Sequence, residues 1–156
     1  MKNWKPIFIE NSSLPIILSK VAPIEIWAIA LGWFVWCRGE LDPQTKNHET
    51  IHFQQQIELL FVGQWFLYLA MWLALLIKHR SGEIAYHLLP FELEAYEHET
   101  NLEYCAKRKR FAWIKYLKKN KDLQDAWLNA CKHITGRLKP NYRTPVKYPS
   151  IIIKND

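Results

Sequence analysis

Asn47-His48-Glu49-Thr50-Ile51-His52-Phe53-Gln54-Gln55-Gln56 decides how this chain is organised. Residues four apart on a helix share a face, so His48 and His52 can direct both imidazoles at one tetrahedral ion, at about 2.0 to 2.1 Å. Glu49 lies beside them without being a ligand. From there a carboxylate can take a proton from a water whose pKa the ion has lowered, and pass it to a leaving group. Thr45 or Asn47 can cap the helix. The spacing of His48, His52, Gln55, Gln56 and Leu59 predicts that it runs on into the following apolar stretch, for about 30 residues in all.

Two histidines need a third protein ligand, leaving the fourth position to water. Pro90 marks the start of an acidic helix, Phe91-Glu92-Leu93-Glu94-Ala95-Tyr96-Glu97-His98-Glu99. Helical geometry places Glu92, Ala95, Tyr96 and Glu99 on one face and Glu94, Glu97 and His98 on another, and only one face can look at the metal. Gln55 and Gln56 can orient substrate or hydrogen-bond neighbouring backbone. Tyr86 and Tyr96 are candidates for donating to a developing oxyanion, while His87 and His98 read as ordinary polar residues.

HExxH followed some forty residues later by Glu92-x-x-Ala95 resembles the gluzincin metallopeptidases, including ImmA/IrrE-like proteins and integral-membrane prenyl-protein proteases. The resemblance covers Asn47 to about Glu99. It implies Zn²⁺ held by His48, His52 and Glu92, Glu49 as general base, Ala95 as the small residue that lets two helices approach, and a peptide or protein substrate. The chain departs from the pattern at Tyr96, where those families carry Asp or Asn as a partner to a zinc histidine, and Glu94 stays open as an alternative ligand. The whole chain also resembles small HExxH proteins of phage and bacteria, with their Glu10-Asn11-Ser12…Pro15 arm and their Asn47-His48-Glu49…His52…Gln55-Gln56 block.

The chain has 156 residues, 49% of them hydrophobic, enough for one core. The expected fold is mainly α: a compact helical domain built around a long HExxH helix and a second acidic helix. Residues 1–22, punctuated by Pro6 and Pro15, form an extended N-terminal arm whose runs Ile7-Phe8-Ile9 and Ile16-Ile17-Leu18 read as extended segments or short strands, 23–138 the helical core, and 139–156 an extended Pro-containing tail. A last helix is expected from Asp122 to Gly136. Cys37, Cys105 and Cys131 are odd in number and form no CxxC pair, which excludes a cysteine zinc site and fits a reducing compartment. No secretion signal precedes the domain, so the expected location is the cytoplasm, in solution or at the inner membrane.

Leu59 to Ile77 carries no charge and meets the length criterion for a membrane span. One crossing there would put His48 and His52 on the opposite side of the bilayer from Glu92, about 30 Å of hydrocarbon away. The stretch is therefore expected to be a core helix buried on all sides, its aromatic end at most dipping into lipid. The net charge of +6 concentrates in 107–121, read as a solvated basic helix. A non-catalytic alternative uses that helix to dock on a protein, a nucleic acid or an anionic membrane surface.

Overall fold

The computed structural model describes residues 4–21 and 26–118, which fall in the first of two compact units, Met1–Asn120. The expected helix 122–136 and tail 139–156 lie outside the described residues. In chain order the elements are β1 (Ile7–Ile9), α1 (Leu14–Ser19), β2 (Ala28–Leu31), β3 (Phe34–Cys37), α2 (Pro43–Glu58), α3 (Val62–His79), α4 (Gly82–His87), α5 (Pro90–His98), α6 (Tyr104–Lys107), a 3₁₀ turn (Ala112–Ile114) and α7 (Lys115–Lys118). The described part is mainly helical, with one small sheet.

That sheet corrects two sequence expectations. In the N-terminal arm Ile7–Ile9 is extended as expected, but Ile16-Ile17-Leu18 is helical, because Pro15 pre-sets the first turn of α1. The apolar run before Cys37 is not helical, because it closes as a β2–β3 hairpin with Gly32 at φ 61° in the turn. β1 adds in parallel to β3, giving the order β1-β3-β2. Along β3 the side chains alternate, and Val35 and Cys37 point into a small core with Ala30 and Leu41. Gln56 fastens the sheet to α2: its amide donates to Ala30 O at 2.7 Å and its carbonyl accepts from Gly32 N at 3.2 Å.

The helix α2 begins earlier than expected. Neither Thr45 nor Asn47 caps it; Asp42 does, accepting from Thr45 N at 2.9 Å, with Pro43 in the first turn. Nor does it run on as one long helix. Leu60 and Phe61 adopt φ of 53° and 59°, a left-handed break that costs about 1 to 2 kcal/mol per residue. Tertiary packing overrides the local helical preference here, since Phe61 packs on Trp33 at 5.8 Å and α3 turns to meet α4.

Two further expectations are overturned. The charge-free stretch that forms most of α3 is not a core helix buried on all sides: Gln64 is its buried residue, and its outer apolar side chains are exposed. The basic stretch is not one solvated helix either. It breaks into α6, the 3₁₀ turn and α7, and Arg108 near its start is 4% exposed because two acidic side chains hold it inside. The main packing that positions the site is α5 against α2, with Ile51, Phe53, Phe91 and Ala95 wholly buried.

Candidate metal centre

Four-residue spacing on α2 brings the two imidazoles together: His48 Nε2 and His52 Nε2 lie 3.0 Å apart. Glu92 on α5 reaches into the same space, its Oε2 3.6 Å from His48 Nε2 and 3.4 Å from His52 Nε2. All three are buried, and their ligand atoms fall within 4.8 Å of one another. Ligands at about 2.1 Å from a tetrahedral ion lie about 3.4 Å apart, so the cluster has the dimensions of a metal site.

The hydrogen bonds around the rings sharpen this. His48 Nδ1 donates to Glu99 Oε2 at 2.9 Å, and Glu99 Oε1 accepts from Gln44 Nε2 at 2.6 Å. His52 Nδ1 donates to Gln55 Oε1 at 2.8 Å. Gln55 has no freedom to reverse, because its Nε2 donates to Phe91 O and Glu94 Oε2. With both Nδ1 protons so engaged, neutral rings turn two Nε2 lone pairs toward each other and toward an anionic oxygen. Glu92 Oε2 is itself buried without a hydrogen-bond partner, whereas its Oε1 accepts from Tyr68 OH at 3.0 Å. Three converging acceptors need a cation among them, and a divalent metal fits.

The electrostatics agree. Burial alone would push His48 down, but Glu92 and Glu99 outweigh it and raise the ring to about 10. Against the same burial, Glu92 raises His52. Burial would raise Glu92, yet the two histidines hold it far below the usual carboxylate range. Without a metal, a proton must take its place. Glu49 is 8% exposed; burial raises its pKa while the fields of His52 and His48 oppose the rise, which places it beside the cluster as a titratable base.

The structure separates the remaining candidates. Glu94 is not available as a ligand: it is fully buried and accepts from Arg108 Nε at 2.6 Å, Tyr104 OH at 2.8 Å, Arg108 Nη2 and Gln55. Gln55 orients His52 instead of facing substrate. Tyr96 packs its ring on His48 at 4.7 Å. The hydrogen-bond partner of His48 Nδ1 is Glu99, three residues further along the chain than Tyr96. Tyr86 packs edge-on against His87, and His87 against Tyr96. Burial lowers His87 to about 4 and keeps it neutral.

Glu99 lies on the Glu92 face, as the helix period predicts, but no local signal gives it a role, marks Tyr68, or shows that Asn47 acts on α5 instead of capping α2. Asn47 caps the far end of α5: its Nδ2 donates to the carbonyls of His98, Glu99 and Asn101 at 2.9 to 3.0 Å. That holds Glu99 against His48. Glu99→Ala is expected to weaken metal binding about 10- to 100-fold, with Glu99→Gln recovering part of the loss by restoring an acceptor; competition with a chromogenic chelator measures it. No protein-family model matches this chain, and neither curated proteins nor solved structures yield a match to it.

Proposed function

We propose that this protein is a zinc-dependent hydrolase that cleaves peptide bonds. The observation that carries the proposal is the convergence of His48 Nε2, His52 Nε2 and Glu92 Oε2 on one buried point, with both Nδ1 atoms tied to acceptors. Two imidazoles and one carboxylate form a zinc set that leaves a coordination position open, whereas structural zinc sites are closed by four protein ligands. Zinc bound there would supply an acidified water and polarise a carbonyl. Glu49 accepts the proton and delivers it to the leaving amine. Tyr68, kept a phenol by burial and by Glu92, donates to Glu92 and fixes its carboxylate plane. The choice of a peptide over another carbonyl rests on the resemblance to the gluzincin metallopeptidases.

Zinc and protons compete for this site. A histidine raised from 6.5 to about 10 contributes proton-linked stability to the metal-free protein that is complete below pH 6.5 and lost as pH approaches 10. Zinc binding at pH 7 therefore releases about one proton, and affinity climbs about tenfold per pH unit within that window. The expected result is one zinc per chain by elemental analysis, proton release by titration calorimetry in buffers of different ionisation enthalpy, and cleavage of a mixed peptide library that a chelator stops and zinc restores. A protein that retains no zinc at micromolar free metal overturns the proposal.

A further inference from the structure

α3 has two unlike faces. Gln64, Tyr68 and Trp72 turn inward, where Tyr68 OH reaches Glu92 and Trp72 Nε1 donates to Gly82 O at 3.2 Å. Val62, Phe66, Leu69, Leu73 and Ile77 recur at steps of three and four on the opposite side and are 44% to 78% exposed. Eighteen residues make a stripe about 27 Å long. It continues beyond the start of α3, where Trp33, 48% exposed, packs on Phe61 at 5.8 Å and on Trp4 at 5.5 Å. At the other end the exposed Lys78 and Arg80 follow, and α3 contains no acidic residue. Contiguous apolar surface of this extent marks a docking face.

We infer that the outer face of α3 docks on the surface of an anionic phospholipid bilayer, lying in its plane. Charge complementarity selects this occupant. In a parallel pair of copies Lys78 and Arg80 would meet their own kind; in an antiparallel pair they would meet the Val62 end, where α3 offers no acid. The chain's own residues 119–156 carry eight Lys and Arg against three acids, Asp122, Asp125 and Asp156, a net positive charge that complements the cations less well than an anionic surface does. A bilayer supplies apolar depth for the stripe, an interface for Trp4 and Trp33, and anionic headgroups for Lys78 and Arg80. A crossing is excluded by the inner face, whose Tyr68 and Gln64 are packed against the rest of the unit. Docking does not depend on hydrolysis; its corollary, that the metal centre acts on membrane-borne polypeptides about one helix diameter from the lipid, rests on the proposed function.

The test is sedimentation of the full-length chain with vesicles of phosphatidylcholine alone or with one-quarter phosphatidylglycerol. Wild type is expected to pellet with the anionic vesicles. Lys78→Gln with Arg80→Gln is expected to lower that partition about 30-fold. Leu69→Glu with Leu73→Glu should lower it about 100-fold with zinc content and thermal midpoint retained. Wild type left in the supernatant overturns the inference, as does binding unaffected by the leucine pair. Light scattering then reports whether a second copy covers α3, and cross-links from 119–156 to α3 whether the chain covers itself. Because sedimentation reads no turnover, loss of activity with docking intact counts against the hydrolase alone.

Discussion

Replacing Glu49 by glutamine is expected to leave zinc in place and slow hydrolysis by about 10²- to 10⁴-fold, the contribution of a positioned general base. The substitution conserves volume in a buried position and removes the ability to take a proton. Glu49 lies outside the converging trio His48, His52 and Glu92, so no ligand is lost. Removing a buried carboxylate also removes a negative neighbour of both imidazoles, which lowers their proton affinity slightly and leaves metal binding near its wild-type strength. Burial raises the Glu49 pKa toward the range where a base works best. The acid limb of the wild-type kcat/KM profile should therefore report its titration. In the glutamine variant that limb should vanish along with the rate. Elemental analysis beside kcat decides: zinc lost with activity would make Glu49 a ligand, and activity kept would place the base elsewhere.

How much of this was legible in the sequence depended on whether a feature obeyed a local period. His48, Glu49 and His52 follow from four-residue spacing alone, but that spacing only puts Glu92 and Glu94 on different faces of α5; what removes Glu94 is its capture by Arg108, Tyr104 and Gln55, which no local period marks. The mainly helical fold follows from the same periodicity. The break at Leu60 and Phe61 does not, because neither residue is a helix breaker and the bend is imposed by Trp33 and by α4, distant in sequence. The same bend turns α3 so that Tyr68 meets Glu92 and its other face is left outside. From composition alone, a charge-free helix looks the same whether a core or a lipid surface receives it. Glu99 was visible two turns beyond Glu92 on the same face, yet only the capping of α5 by Asn47 shows that it reaches His48. Among the described basic residues of 107–121, nothing local marks Arg108 as the one that is buried.

Arg108→Met is expected to destabilise the protein by about 3 to 5 kcal/mol, read as a lower urea midpoint with unchanged slope. The guanidinium, Glu58 and Glu94 have side chains that are 0% exposed. Arg108 donates through Nε and Nη2 to both oxygens of Glu94, and through Nη1 and Nη2 to Glu58. Burial would lower the arginine's pKa, and the two carboxylates drive it upward instead, so its charge is permanent in the folded state. Methionine fills much of the same volume but leaves two carboxylates inside with no cation between them, and they must take up protons or open the structure to water. Arg108→Lys should fall between, since a single ammonium cannot reproduce a fork that serves two carboxylates. The loss should also reach the metal: Glu94 accepts from Gln55, and Gln55 accepts from His52 Nδ1, so freeing Glu94 loosens the ring that must point its Nε2 inward. Zinc affinity in Arg108→Met, measured where the variant is still folded, should drop about tenfold. A cost below about 1 kcal/mol would instead mean that water reaches Glu58 and Glu94, as it does at surface pairs, and would remove the triad as the anchor of His52.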